Sequence, residues 1–383
     1  MKNILLFLLE LYFDFLLPKQ KFERVKKLHF YHVYDIILLF FFCSLYLVFL
    51  ELNSFFGFLN PISRKLFLIS IVFCLIYLSF SKSSYSWGFY AHKQINRLAV
   101  YSVPEPLYPF YRKHLIWISE HAVDADKRRH LLENEACKHY LDADKYECSA
   151  PLDTINIPWT KAVEIYSEDT LKAHGIAPWN VIFDYYRLVK AFREKNINSV
   201  LKISADLGHY IGDCHVPLHT THNYNGQLTG QYGIHAFWES RLPELFADSY
   251  YLFIPKAQYI PYLFPEIFSA VSESFAAKDS VLDFEKILSA ITPEEKKYSL
   301  EWRGQIQKLE YSYDFSQKYH QMLGDMVQRR IKSSAFLTAS VWYTAWLEAG
   351  QPNMLINDNV GFTENDSIDF YYKTKEIIGR PEN

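Results

Sequence analysis

Apolar residues are distributed unevenly along the chain. Three nearly continuous apolar runs lie close to its beginning, at 4–17, 36–50 and 66–80. Each run is shorter than the roughly 20 residues that a membrane-spanning helix prefers. From Trp87 onward the pattern changes, and apolar residues alternate with polar ones. The pattern therefore divides the chain into a hydrophobic leader and a longer amphipathic body.

The amphipathic body is predicted to be helical. Apolar residues recur at three- and four-residue spacing through 91–102, 181–193, 197–214 and 319–349. No segment alternates apolar and polar residues for long enough to predict a sheet. Residues 223–234 (NYNGQLTGQYGI) have the Gly and Asn content of a loop between two helical segments. The expected fold class is all-α, with a single mostly helical domain.

The last apolar run has the layout of a secretory signal peptide. A basic pair, Arg64–Lys65, precedes the apolar segment 66–80, and 84–86 (SYS) has the small-x-small pattern of a cleavage site. Cleavage after Ser86 would make Trp87 the first residue of the mature protein. We therefore expect export to the periplasm or the medium, with membrane anchoring through an uncleaved leader as the alternative.

The predicted organisation has four parts. They are a hydrophobic segment 1–60, a signal peptide 61–86, a functional domain 87–350 and a C-terminal tail 351–383. Two explanations of the first segment stay open. Either translation begins further downstream, near Leu59, or this segment is translated and adds membrane segments.

Composition narrows the classes of function. The chain has 383 residues, of which 50% are hydrophobic, so it can bury a large core. Its net charge of −3 argues against a basic nucleic-acid-binding protein. Five cysteines are too few for a disulfide scaffold. A Cys137–Cys148 bridge stays open as an alternative in an oxidising compartment.

Residues typical of metal ligands flank the predicted loop. His209 and Asp213 are four residues apart on a predicted helix, so both side chains project from one face. His219 follows shortly after that helix, and His235 and Glu239 repeat the four-residue spacing beyond the loop. Imidazoles bind borderline metals and carboxylates can bridge ions. The pattern therefore indicates a multinuclear metal site.

Other histidine and acidic residues nearby are not expected to bind metal. His215 and His222 differ in phase from the first pair and are interpreted as supporting or surface residues. Four upstream residues are interpreted as parts of an exposed polar face: His121, His130, Asp142 and Asp144.

These motifs occur in an order that resembles the zinc-dependent phospholipase C / S1-P1 nuclease family. The order is Trp87-x4-His92, Ala125-Asp126, His139-Tyr140, His209-x3-Asp213-x5-His219 and His235-x3-Glu239. The resemblance runs from Trp87 to about Gly350 and includes a closing helix, SSAFLTASVWYTAWLEAG. In that family the mature protein begins with a tryptophan whose amino group and carbonyl oxygen bind zinc.

The resemblance implies a helical domain with three zinc ions. The first ion would be held by Asp126, His139, His209 and Asp213. The second would be held by His219, His235 and Glu239. The third would be held by Trp87 and His92, with Asp213 bridging it to the first.

Asp126 is the least certain of these assignments, because Asp124 lies two residues away. The segment ADKRR fits the family pattern of Ala-Asp followed by a basic residue, which favours Asp126. Its role stays open between metal ligand and general base.

The activity implied by the resemblance is phosphodiester hydrolysis by an exported zinc enzyme. A phospholipase C-like activity on phospholipid is favoured, and a nuclease acting on single-stranded nucleic acid is the alternative. Aromatic residues that could stack on bases or line a lipid pocket are Tyr90, Tyr140, Tyr224, Tyr232 and Phe237. A membrane-tethered protein that binds metal without catalysis is an alternative of another class. No obligate protein partner is evident.

Overall fold

The computed structural model describes residues 88–129, 131–146, 152–303 and 306–355. The predicted segments 1–60 and 61–86 lie outside the described residues, as do Trp87 and nearly all of the predicted tail.

Helices form most of the described structure, which confirms the all-α fold class. The longer α-helices are Gly88–Ser102, Ala177–Arg193, Ile197–Cys214, Leu263–Ile291, Tyr313–Leu323 and Met326–Glu348. The shorter α-helices are Tyr108–Lys113, Leu115–Glu120, Asp124–Arg128, Trp159–Tyr166, Glu168–His174, Ile234–Ala236, Leu242–Phe246 and Glu294–Lys297. Tight 3₁₀ turns lie at His121–Val123, Ala136–His139, Ala143–Tyr146, Pro217–Thr220 and Ala247–Ser249, and Phe237–Arg241 is a short π-helix.

The helix predicted over 319–349 is divided in the structure. Tyr313–Leu323 ends at Gly324, and a new helix begins at Met326. Gly324 has φ +61°, a left-handed conformation that side chains with a Cβ rarely adopt. The apolar spacing continues on both sides of this glycine, so the pattern alone shows no break.

The helix Ile197–Cys214 has clear start and stop signals. The side chain of Asn196 accepts a 3.0 Å hydrogen bond from Ser199 N and caps its first turn. Pro217, three residues past Cys214, cannot donate a backbone hydrogen bond to a continued helix. The helix packs against Ala177–Arg193 and Met326–Glu348, and Trp342 Nε1 donates to Ser204 O. This central position buries most of its faces, including the one that carries His209 and Asp213.

Two glycines let the first described helix approach this central helix closely. A Cβ at Gly208 would lie 1.7 Å from Asn96 Oδ1, and one at Gly212 would lie 2.9 Å from His92 Nδ1. Both contacts are shorter than real Cβ contacts allow, so a larger residue at either position would displace the side chain that it meets. The glycine pair thus brings His92 next to the face that carries Asp213.

A β-hairpin interrupts the helices, and the sequence prediction of no sheet is wrong at this point. Tyr298–Arg303 pairs antiparallel with Ile306–Tyr311, with Tyr298 opposite Tyr311 and Leu300 opposite Leu309. Each strand has only six residues, which is too short for its alternation to stand out in the sequence.

Two apolar clusters form the core. The larger one surrounds the central helix and contains Trp179, Phe192 and Trp342. The second contains Phe237, Phe315 and Tyr319 and supports the segment that carries Glu239. Within the described ranges, no helix combines the length and apolar character needed to cross a membrane.

Candidate metal centre

Eight of the nine predicted ligand residues are described, and the structure brings all eight into one cluster. They come from segments that are distant in the chain, from His92 on the first described helix to Glu239 on the π-helix. Among the described residues, three groups each have ligand atoms that lie within 4.8 Å of one another, and two of these groups share His209. We call them the Asp126 group (Asp126, His139, His209), the His92 group (His92, His209, Asp213) and the Glu239 group (His219, His235, Glu239).

The Asp126 group faces inward from three separate elements. Its two ring nitrogens, His139 Nδ1 and His209 Nε2, lie 3.0 Å apart. Asp126 Oδ1 lies 3.6 Å from the first and 3.4 Å from the second. His139 and His209 are fully buried, whereas the Asp126 side chain is 26% exposed. The opening to solvent on this side of the cluster is therefore at Asp126.

The Glu239 group lies beyond the predicted loop. His219 Nε2 and His235 Nε2 are 3.1 Å apart. Glu239 Oε2 lies 2.7 Å from His235 Nε2 and 3.3 Å from His219 Nε2. The side chains of His235 and Glu239 are 14% and 13% exposed, so this group also reaches solvent.

Two carboxylates connect the groups, each through both of its oxygens. Asp213 Oδ2 lies 3.0 Å from His139 Nδ1 and 3.3 Å from His209 Nε2, while its Oδ1 lies 3.4 Å from His92 Nε2. Glu239 presents Oε2 to its own group and Oε1 to His92 Nε2 at 3.3 Å. His92 Nε2 therefore lies between two carboxylates. The bridging position of Asp213 was implied by the resemblance, but the second face of Glu239 was not predicted.

The spacing and chemistry of these donors fit divalent metal ions. Two donors bound tetrahedrally to one zinc ion at about 2.0–2.2 Å lie roughly 3.3–3.6 Å apart. The donor distances within the groups run from 2.7 to 3.6 Å, so some lie in this range and the others are shorter. The cluster combines five imidazoles with three carboxylates, a mixture that suits zinc better than magnesium or calcium, which prefer oxygen ligands.

The charges of the cluster also favour cations. Burial raises the pKa of the Asp126 carboxyl, but His209, His139 and His92 lower it to about 2. Burial likewise opposes ionisation of Asp213 and Glu239, yet the neighbouring imidazoles hold the pKa of both carboxyls well below the usual range. Three ionised carboxylates are thus gathered in one mostly buried place.

His209 shows the effect of this negative charge most clearly. Burial lowers its pKa, but Asp213 and Asp126 raise it well above the usual value. For His139, burial lowers the pKa and prevails over the opposing effect of Asp213. The negative charge that holds a proton on His209 would equally attract a metal ion.

Backbone carbonyls orient two of the imidazoles. His209 Nδ1 donates to Ala122 O at 2.9 Å, which turns its Nε2 toward the cluster. His219 Nδ1 contacts the carbonyl oxygen of His139, which turns its Nε2 toward Glu239. Such outer contacts fix the tautomer and direction of a metal-ligating histidine.

A polar network behind the cluster was missed by the sequence analysis. Tyr210 Oη donates to Glu135 Oε1 at 2.5 Å, and Glu135 also pairs with Lys138 and Arg128. Arg128 Nη2 lies 3.0 Å from Asp206 Oδ2 as well. Glu135 and Lys138 are three residues apart, but Asp206 and Tyr210 come from a distant helix, and no sequence signal indicates that the two segments meet.

The remaining histidine and acidic residues lie outside the three groups. The interpretation of Asp142 as exposed is wrong, because it is buried and its Oδ2 lies 3.6 Å from His222 Nδ1. Asp144 is exposed as expected, whereas His121 is half-buried and pairs with Asp124. His130 lies outside the described residues.

Two further interpretations concern His215 and Cys137. His215 is buried away from the cluster, and its Nδ1 donates to Ile211 O one turn earlier in its own helix. Cys137 has a free thiol that donates to Asn134 O. Burial raises the pKa of this thiol to about 11, and its candidate partner Cys148 lies outside the described residues.

The five candidate aromatic residues have different environments. Tyr140 and Phe237 are core residues: Tyr140 Oη donates to Ala173 O, and Phe237 stacks within the second apolar cluster. Tyr232 is exposed and Tyr90 is half-buried. Tyr224 lies edge-on to the His235 ring, with centroids 6.1 Å apart. Tyr224 is therefore in contact with a predicted ligand.

Comparisons with known proteins show a distant similarity to a solved structure. No family model and no curated protein matches the sequence. Among solved structures, the chain is similar to alpha-toxin of Clostridium perfringens from avian strain SWCP, at a TM-score of 0.41 and 11% identity. The alignment covers 70% of this chain and 65% of the toxin chain, so it spans less than two thirds of the toxin.

Proposed function

We propose that this chain is a zinc-dependent hydrolase of phosphate esters with a phospholipase C-like activity. The observation that carries the proposal is the pair of shared carboxylates, Asp213 and Glu239, with His92 Nε2 between them. A single ion needs no such sharing, whereas neighbouring ions require ligands that face both. Clustered metal ions of this kind are typical of enzymes that hydrolyse phosphate esters.

The ions would supply Lewis acidity, a more acidic bound water and charge neutralisation for the phosphate. The protein side chains hold and enclose them. Asp213 and His92 are almost fully buried and define the closed side of the cluster, whereas Asp126 and His235 reach solvent. A phosphate group would therefore approach from the side of these two residues.

We assign Asp126 to metal binding first and to proton transfer second. Its Oδ1 faces both imidazole nitrogens of its group at 3.4 and 3.6 Å, which is the position of a third ligand. Its partial exposure also places it where water enters, so a role as general base is compatible with the same geometry.

The third ion would require Trp87 as the mature N-terminus. Trp87 directly precedes the helix Gly88–Ser102, which carries His92. Mass spectrometry of the mature protein tests this part of the proposal. A chain beginning at Trp87 supports export and three ions. A retained leader contradicts that version and favours the membrane-tethered alternative.

Measurements of metal content and activity test the zinc-binding and hydrolase parts of the proposal. Purified protein reconstituted with zinc is assayed on phosphatidylcholine and on single-stranded DNA, and bound zinc is measured by mass spectrometry. His219→Ala should lose zinc and hydrolysis together, because it removes one of two imidazoles in the Glu239 group.

His222→Ala is the matched control, since this histidine lies three residues further on and outside the three groups. It should keep the zinc content of the unmodified protein. Hydrolysis of DNA without hydrolysis of lipid would overturn the phospholipase assignment. Zinc binding without hydrolysis of either substrate would overturn the assignment as an enzyme of this class.

A further inference from the structure

The β-hairpin has one apolar face that divides into two parts. At its base, Tyr298 and Tyr311 lie opposite each other, and Tyr311 is buried against Phe237 at a ring distance of 3.8 Å. Further along the same face, Leu300 and Leu309 are opposite each other and are 66% and 65% exposed. Trp302 is two residues beyond Leu300 and 69% exposed. The apolar face of the core therefore continues outward on the hairpin, and no element in the described part of the chain covers it.

The hairpin is anchored to the segment that carries Glu239. Arg241, two residues after this predicted ligand, lies 2.5 Å from Glu301 Oε1 and donates to Tyr311 O at 3.2 Å. Lys297, at the base of the hairpin, pairs with the fully buried Glu285 at 2.8 Å. These contacts join the hairpin to the segment that carries the ligand Glu239. None of them involves Leu300, Trp302 or Leu309 on the outer face of the hairpin.

The size of the exposed face argues against a protein partner as its occupant. Side chains of Leu and Trp exposed to this degree offer roughly 400 Å² of apolar surface, which exceeds a scattered single residue but is about half of the ~800 Å² per partner in a stable protein interface. A bilayer needs no matching partner surface, and tryptophan favours its interface.

The charge of the hairpin region indicates whether an anionic or a zwitterionic bilayer suits it better. Residues 294–311 contain four acidic and four basic residues, so their formal charges cancel. A balanced segment gains little from an anionic surface, in contrast to the lysine- and arginine-rich segments that bind one. The chemistry therefore fits a zwitterionic lipid surface.

We propose that the face formed by Leu300, Trp302 and Leu309 inserts into the surface of a zwitterionic bilayer. This inference rests on the proposed function and names its substrate as lipid in an assembled membrane. Because Arg241 links the hairpin to the Glu239 segment, insertion would hold the solvent-open side of the cluster close to the lipid headgroups.

Vesicle sedimentation tests the proposal on the mature protein. The double variant W302Q/L309Q is compared with the unmodified chain on phosphatidylcholine vesicles and on vesicles that also contain phosphatidylserine. We expect the variant to bind phosphatidylcholine vesicles at least tenfold more weakly. For the unmodified chain, we expect phosphatidylserine to change binding less than twofold. I116Q is the matched control, because Ile116 is an apolar residue that is 80% exposed on the helix Leu115–Glu120, away from the hairpin in sequence. This variant should bind like the unmodified protein.

Three outcomes would overturn the proposal. They are equal binding of the double variant, no vesicle binding by the unmodified chain, and a dimer in size-exclusion chromatography that the same substitutions dissociate. The last result would assign the face to a second copy of the chain.

A second assay measures hydrolysis of a dissolved short-chain phosphatidylcholine, which requires no vesicle binding. It distinguishes a failure of the insertion proposal from a failure of the proposed function. The double variant should keep this activity, because the substituted side chains lie outside the metal cluster. Loss of vesicle binding with intact hydrolysis supports the insertion. If the unmodified protein hydrolyses no phosphate ester, the proposed function fails, whereas vesicle binding still shows whether the hairpin inserts.

Discussion

Tyr210 donates a 2.5 Å hydrogen bond to Glu135 Oε1 while its ring lies edge-on to His139, with centroids 5.4 Å apart. Lys138 and Arg128 also surround Glu135, and burial, which would raise its pKa, is outweighed by these cations so that the pKa is lowered to about 2. A fixed ionised carboxylate thus holds the tyrosine, and the tyrosine supports a predicted metal ligand. Outer contacts of this kind influence metal affinity as well as stability.

Tyr210→Phe should separate these two effects. The variant keeps the ring against His139 but loses a hydrogen bond to a charged group, which is worth about 1.5–3 kcal/mol in the free energy of unfolding. We expect zinc affinity to fall about tenfold, as measured by competition with a chelator.

Tyr111→Phe is the matched control, because its buried hydroxyl bonds Ser204 rather than a group near the ligands. It should lose stability and keep its zinc affinity. Equal zinc affinities in both variants would show that Tyr210 has only a structural role.

Gly212→Ala should displace His92. The added Cβ would lie 2.9 Å from His92 Nδ1 and 3.1 Å from its Cε1, so the imidazole must shift from its position between Asp213 and Glu239. Overpacking of this kind costs about 1–3 kcal/mol of stability. Bound zinc, measured by mass spectrometry, should decrease by one ion, because the Glu239 group contains its own pair of imidazoles.

Gly208→Ala gives the comparison, since its Cβ would meet Asn96, which lies one turn after His92 on the helix Gly88–Ser102. It should lose stability without a selective loss of zinc. The same zinc content in both alanine variants would contradict the role of Gly212 in placing His92.

Glu239→Gln should reduce the zinc content of the protein, because this carboxylate faces ligands of two groups. The amide retains the size of the side chain but removes the charge that faces both His235 and His92. We expect at least one ion to be lost, together with a lower melting temperature in differential scanning calorimetry. Glu244→Gln, which affects a carboxylate paired with Arg241, should leave the zinc content unchanged.

The raised pKa of Asp206 predicts that the free energy of unfolding depends on pH. Burial raises its pKa to about 6; Arg128 opposes the rise, and Glu135 and Asp184 add to it. Since the folded pKa lies above the ordinary 3.8, folding favours the protonated form. Its stabilising contribution is complete below about pH 4 and is lost as the pH rises through about 6. The difference between the two pKa values corresponds to about 3 kcal/mol.

Asp206→Asn should remove this dependence. Urea unfolding at pH 4.5, 6 and 7.5 should show the unmodified chain losing stability relative to the variant between the first and last values. The comparison cancels the titration of the metal ligands, which both proteins share. Parallel curves for the two proteins would contradict the raised pKa.

The sequence predicts more of the helices and the cluster than of the contacts around them. The helix 197–214 is recognisable because its cap, apolar spacing and terminating proline agree with one another. Four-residue spacing also places Asp213 beside His209 and Glu239 beside His235. These are local relationships, which periodicity describes well.

The remainder depends on how distant segments pack. The contact of Glu239 with His92 requires the first helix to dock on the central one, which the glycine at 212 permits. Asp142 is buried next to His222, a residue 80 positions later in the chain, and this contact depends on tertiary packing. The hairpin has short strands with exposed leucines on its outer face, so its alternation resembles neither a buried strand nor an amphipathic helix.

The position of His92 between two carboxylates would also give bound ions the role of cross-links. His92 and Glu239 are 147 positions apart in the sequence, so an ion shared by them closes a very long loop. Closing such a loop reduces the conformational entropy of the unfolded chain, as a disulfide does. Among the described residues the Cys137 and Cys214 thiols are free, so this stapling would come from the metal.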